Sequence, residues 1–204
     1  MFHIYLFATA GRQQLHYHIS NINMRPKLPF IVTFVQLIGY SYGHFWKDYF
    51  GNIPQDAFQA GVDANNEAVY VGQALYKSGV YPVNIQSGKE VVIPYFGSKS
   101  ADNFVHILCA NDPENFQWIP TNKSHLHLLH TDNKIVRGGI EGGNWVYVGR
   151  VKYQSGTSIG KVLAGQIGDA VMYFVHNGKE IVTASYEVLT YNDIFSKIDL
   201  RFSA

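Results

Sequence analysis

Val69-Tyr70-Val71-Gly72-Gln73-Ala74 returns as Val146-Tyr147-Val148-Gly149-Arg150-Val151, and the glycine seven positions past each shared glycine, Gly79 and then Gly156, returns with it. Trp46 and Trp118 stand ahead of these blocks. Phe104-Val105-His106-Ile107-Leu108 and Ser185-Tyr186-Glu187-Val188-Leu189 close them. Matched positions lie 72 residues apart at the tryptophans, 77 at Gly72 and Gly149, and 81 at Leu108 and Leu189. A period that drifts only by the length of a loop marks a duplicated structural unit. The fold is therefore decided by what one unit of about 75 residues can be, given twice.

Outward from those blocks, short segments rich in Val, Ile, Tyr and Phe recur about every ten residues, punctuated by Gly, Asn, Asp and Ser, which reads as strands and turns. The segments Val69–Leu75, Glu90–Phe96, Asn103–Cys109, His125–His130, Asn144–Tyr153, Ala170–His176 and Ile181–Thr190 are expected as strands. Val146, Val148 and Val151, and likewise Val171, Tyr173 and Val175, are expected to share a face. No stretch has the period of an amphipathic helix. Gly138-Gly139, Gly142-Gly143, Asn177-Gly178 and Ser87-Gly88 fall between strand candidates, as does Asn65-Asn66, and are expected as turns. The expectation is an all-β fold: tandem pseudo-symmetric antiparallel repeats packed as one sandwich-like or barrel-like body, each copy covering apolar surface the other exposes.

Composition narrows function. The chain has 204 residues, 47% of them apolar, enough for a packed core. Sixteen basic against fifteen acidic side chains leave a formal charge of +1, which removes the electrostatic attraction behind non-specific nucleic-acid and anionic-membrane binding. Cys109 is alone, so neither an intrachain disulfide nor a four-thiolate metal site can form, and its apolar context predicts a buried, inert thiol.

The amino terminus has an organisation of its own. Arg25-Pro26-Lys27, the apolar stretch from Leu28 to Gly39 and the small-x-small Ser41-Tyr42-Gly43 have the three parts of a secretory leader. Cleavage after Gly43 would leave His44 first. The apolar stretch falls short of the ~20 residues that cross a bilayer, so no stable membrane anchor is expected. Residues 1–23 are read as an upstream extension, 24–43 as the leader, 44–117 and 118–192 as the two repeats, and 193–204 as a short tail. In a secreted chain Asn122-Lys123-Ser124 would be an N-glycosylation sequon.

Several apparent motifs fail on chemistry. Gly156-Thr157-Ser158-Ile159-Gly160-Lys161-Val162 has one residue too few between its glycines for a phosphate loop, and Val162 stands where a magnesium-binding hydroxyl is required. His125 and His127 would share a strand face but His130 would not, and no acidic or thiol ligand is near in sequence, so no metal is assigned. No nucleophile elbow or carboxylate pair is apparent, so no catalytic residue and no cofactor are assigned.

The matched loops carry more. Gly61-Val62-Asp63 precedes the first Tyr-Val-Gly block and Gly139-Ile140-Glu141 the second, so each unit sets a carboxylate at the turn leading into that strand. Asn84 and Lys161 are counterparts 77 residues apart. The second unit thus offers an acid and an ammonium, the first only Asp63. Such a pair can grip adjacent sugar hydroxyls through charge-assisted hydrogen bonds, with an aromatic such as Trp145, Tyr147 or Tyr153 against the ring's apolar face. An ordinary surface ion pair and ordinary core aromatics are the alternatives.

The ordered succession Trp46, Ile53-Pro54, Ala57, Asp63, Tyr147 to Arg150, Gly160 to Val162, Gly178 to Glu180 and Tyr186 to Leu189 resembles the DM-nine repeat family, over Phe45 to about Asn192. It looks most like the secreted insect members, and is similar to the amino-terminal module of natterin toxins and to two-repeat oyster lectins that recognise mannose. The resemblance implies intertwined tandem β repeats and a sugar site on the Asp and Lys of the Gly-x-Asp and Gly-Lys-Val motifs: Asp63 in the first repeat, where Asn84 departs from the lysine, and Glu141 with Lys161 in the second. Twelve residues follow Asn192, and no pore-forming module like that of the natterins is expected in them. The function expected is a secreted, calcium-independent, non-catalytic lectin-like protein recognising mannose-type glycans, in the manner of innate immunity; the other reading is a structural or protein-interaction module. Glycans are the expected partners, and a homo-oligomer is left open.

Overall fold

The computed structural model describes residues 43–101, 104–129 and 134–192, together with residues 9, 10, 13 and 14. The expected leader, save Gly43, and the carboxy-terminal tail lie outside the described residues, as does most of the expected upstream extension. The chain divides after Gly43 and after Asn192. In the outer part, β1 (Thr9–Ala10) and β2 (Gln13–Gln14) pair antiparallel.

His44–Asn192 folds as one compact unit built from two copies of one strand plan. The first copy runs β3 (His44–Asp48), β4 (Gln59–Val62), β5 (Ala68–Tyr76), β6 (Gly79–Ile85), β7 (Val92–Pro94), β8 (Ser98–Ser100) and β9 (Val105–Ala110). The second, after a 3-10 turn at Pro113–Asn115, runs β10 (Phe116–Asn122), β11 (Arg137–Glu141), β12 (Asn144–Tyr153), β13 (Gly156–Leu163), β14 (Val171–His176), β15 (Lys179–Thr183) and β16 (Ser185–Tyr191). All described ladders are antiparallel, and the pairing repeats. β4 joins β5, β5 joins β6 and β9, and β9 joins β3. In the same way β11 joins β12, β12 joins β13 and β16, and β16 joins β10. Even the isolated bridge Ala57 to Cys109 has its counterpart in Ile135 to Thr190.

The copies meet crosswise. Ile140 of β11 pairs with Val80 of β6, joining the two sets of strands. A Cβ at Gly139 would collide with the Val80 carbonyl, and one at its counterpart Gly61 would collide with the side chain of Thr157, the counterpart of Val80. Each repeat therefore lays its Gly-x-acid strand against the other's Gly79- or Gly156-led strand, closer than any side chain permits. Gly138-Gly139 is thus a bulged strand rather than the expected turn. Gly142-Gly143 and Asn177-Gly178 do turn, with positive φ at all four residues.

The core has three parts. One is shared: Phe58, Val69, Val71 and Leu108 of the first repeat pack with Val136, Val148, Ile159 and Leu189 of the second, flanked by Trp46 and Trp118. Each repeat then has a cluster of its own, around Val83, Ile85, Ile93 and Ile107 in the first and Val162, Met172, Phe174 and Val188 in the second. Cys109 is fully buried in the first, and that burial, ahead of the nearby Asp56 carboxylate, pushes its thiol up to about 11.

Three further expectations change. β12 has the expected bounds, but Val148 enters the shared core while Val151 packs into the second repeat's own cluster, because this strand is covered on both faces. In β14 Val171, Tyr173 and Val175 do share a face, the half-exposed one, while Met172 and Phe174 are buried. The segment from His125 is a turn leading into a short helix, α1 (Leu126–Leu129). There the Asn122 side chain accepts from the Ser124 and His125 N–H groups and bends the chain. Finally, Ile181–Thr190 breaks at Ala184, whose carbonyl leaves the ladder to accept from Lys123 N–H.

Gly139→Ala is expected to lower stability by about 1–3 kcal/mol, read as a shifted urea midpoint, while Gly165→Ala, where a Cβ meets nothing, leaves the midpoint in place.

Candidate functional site

Glu141 ends β11 at the seam where that strand meets β6, and Lys161 rises from β13 beside it. The ammonium donates to both carboxylate oxygens, at 2.9 and 2.8 Å. A lysine is rarely buried unless paired, yet the Lys161 side chain is only 4% exposed, against 20% for Glu141. Three tyrosine rings help to explain this. Tyr81 and Tyr95 of the first repeat and Tyr173 of the second have their centroids 5.0, 5.7 and 5.3 Å from the ammonium nitrogen, within cation–π range. Both repeats therefore contribute to holding one charge. Burial, then the Glu141 charge, pushes the Tyr81 hydroxyl up to about 12.

The first repeat has a pair as well, built differently. Asp63 follows β4, and its Oδ1 accepts from the N–H groups of Asn65 and Glu67. Its Oδ2 accepts from Gln86 at 2.9 Å and from the Lys89 ammonium at 2.8 Å. Lys89 also reaches Glu67 at 2.7 Å. The Lys89 bond first, then the Glu67 N–H and Gln86, hold the Asp63 carboxyl far below its ordinary 3.8. Because its folded value is depressed, this stabilisation is present above pH 3.8 and fades as pH falls below it. The Lys89 side chain is 42% exposed, so this ammonium faces water where that of Lys161 is sealed.

The expected site residues thus separate. Glu141 and Lys161 come together; Asp63 takes Lys89, which sequence reasoning missed. Asn84 accepts from the Ile159 N–H at 2.6 Å and staples β6 to β13. Trp145, paired with Ile140, projects from the face opposite Glu141, where Arg137 lies 4.6 Å over its ring. Tyr153 packs against Phe174 and His176. The aromatics that do adjoin the Glu141–Lys161 pair are Tyr81, Tyr173 and Tyr95, the last meeting Phe96 edge-on at 5.0 Å. Phe96 is 84% exposed.

Other groups are spent on structure. Arg150 bonds Glu187 and the Ala60 carbonyl, both at 2.7 Å, and lies 4.4 Å over Trp118, tying the repeats together. The false phosphate loop is β13, buried nearly throughout. His127 approaches the Gln166 carbonyl and His125 the Asn122 amide. Among the described residues no three His, Cys, Asp or Glu side chains gather as a metal set.

A family model described as DM9 repeat matches the chain twice, over residues 34–102 and 85–168. The first match begins inside the segment read as a leader, and the two overlap from 85 to 102. Comparison with curated proteins returned no match. Among solved structures the chain is similar to the nematode sperm cell motility protein MFP2B, at 11% identity and a TM-score of 0.52, over 74% of this chain. The chain spans 44% of that protein's length, and the likeness is one of fold.

Lys161→Met leaves Glu141 half-buried without its partner and is expected to cost about 2–3 kcal/mol, less than for a fully sealed pair because Glu141 keeps some solvent; adding Glu141→Gln recovers part of the loss, as urea midpoints would show. Tyr81 should be among the late-ionising tyrosines in an ultraviolet titration. With the folded value raised, the unfolded chain loses this proton first, so stability falls as pH rises from 10 to about 12, and Tyr81→Phe removes that part of the fall.

Proposed function

Because the chain belongs to the DM9 repeat family, we propose that it is a secreted, non-catalytic carbohydrate-binding protein that recognises mannose-type glycans. DM9 repeats are binding-type domains rather than a known enzyme family. One observation carries the reading: each repeat sets a carboxylate, bonded to a lysine ammonium, at a seam where the other repeat's strand arrives.

The two seams would act differently. At the second, Lys161 is sealed, so its part is to hold the Glu141 carboxylate in place. The exposed edge of Glu141 accepts from sugar hydroxyls, and the Tyr95 and Phe96 rings offer an apolar wall. At the first, the exposed Lys89 ammonium donates to hydroxyl oxygens directly, with Glu67 accepting beside it. A charged group on one side of each contact makes these bonds about twice as strong as neutral ones. Positioning in advance also spares the ordering cost that weakens a contact made by free side chains.

A glycan array followed by titration with mannan tests this. The wild-type chain is expected to bind, Glu141→Gln to weaken binding at least about tenfold (about 1.4 kcal/mol), and Phe96→Ala to weaken it further, without loss of the fold by circular dichroism. No glycan bound by the wild type would end the lectin reading. Binding indifferent to Glu141→Gln and Lys89→Ala would take these residues out of the site. A single protein co-purified from secreted fluid, and not displaced by sugar, would favour the protein-interaction module.

A further inference from the structure

We propose that Asn122 carries an N-linked glycan whose first N-acetylhexosamine lies in the depression beside α1; the proposal rests on the reading that the chain enters the secretory pathway. Asn122-Lys123-Ser124 has the acceptor pattern, with no proline between. In the fold this triplet sits where β10 ends, with Lys123, Ser124 and His125 exposed and Asn122 partly so.

The hydrogen bonds leave room for one new bond at the amide nitrogen. Oδ1 of Asn122 accepts from the N–H groups of Ser124 and His125, at 3.0 and 3.1 Å. Nδ2 lies 3.1 Å from Nδ1 of His125, a contact that uses one amide hydrogen when that ring nitrogen accepts. A primary amide has two hydrogens. In the transfer the nitrogen bonds to C1 of the sugar, the C1–oxygen bond to a lipid-linked pyrophosphate donor breaks with its electron pair leaving on the pyrophosphate, and one amide proton is lost. One N–H remains on the nitrogen, and the Oδ1 bonds that shape the turn are untouched.

The depression supplies the seat. It has a volume of about 480 Å³ and is lined by Pro120, Thr121, Asn122, His125, Leu128 and Leu129, a size that suits a small organic group. Leu128 is 68% exposed on its rim. An N-acetylhexosamine joined to Nδ2 presents an apolar ring face and acetyl methyl to the leucines and keeps its hydroxyls toward water. That need, apolar cover next to the amide, is what a first sugar offers.

The test uses the full chain expressed in secreting insect cells behind an added cleavable leader, so that export does not depend on its own amino terminus. Peptide mass mapping is expected to find the glycan on Asn122 and none in Ser124→Ala. Trimming to a single N-acetylglucosamine is expected to leave the melting temperature of the glycoprotein unchanged, about 2–4 °C above that of the wild-type chain made in bacteria without sugar. An unmodified Asn122 would overturn the proposal, and so would a one-sugar form that melts with the sugar-free chain. Failure of the native amino terminus to direct export, measured separately without the added leader, would count against secretion and not against the site.

Discussion

Two glycines that admit no side chain let the two repeats close on each other. Gly61 and Gly139 occupy corresponding places, and each lets its strand approach the partner repeat within a distance a Cβ would forbid. Without that approach Ile140 could not pair with Val80, and the strands of the two copies would part along their seam. The shared core beneath, from Phe58 and Leu108 on one side to Ile159 and Leu189 on the other, is apolar surface that neither copy could bury alone. Duplication here supplies each module with the other half of its interior.

The same crossing explains why the charges sit where they do. Lys161 meets Tyr81 because each repeat reaches into the other, and the substitutions between the copies are matched to that contact. Where the second repeat has the long Lys161, the first supplies the large ring of Tyr81; where the first has the short Asn84, the second supplies the N–H of Ile159. The two seams have diverged together: one encloses a cation among rings, the other closes on an amide and moves its ammonium out to Lys89.

Much of this was legible in the residues. The period of the Tyr-Val-Gly blocks sufficed for the all-strand fold and for the bounds of β12, since matched Val, Tyr and Gly positions constrain register locally. The opposition of Glu141 and Lys161 was likewise readable from corresponding loops. Lys89 was not, because it stands in the turn after Ser87-Gly88, where the two copies differ and no counterpart points to it. Nor were Tyr81 and Tyr95: they reach Lys161 across the seam, and nothing within one repeat encodes what the other will bring. A long cation in one copy and an unmatched tyrosine in the other was the trace available. The helix at Leu126–Leu129 escaped for a local reason, the Asn122 side chain turning a segment whose alternation suggested a strand.

The central claim, that the seams are where a glycan is gripped, is tested most directly by titrating the isotope-labelled full chain with a mannose oligosaccharide and following the amide resonances. The account predicts saturable shifts centred on Glu141, Tyr95, Phe96 and the Asp63–Lys89 turn. Shifts confined to the opposite face of the β11–β12 hairpin, around Arg137 and Trp145, would contradict it.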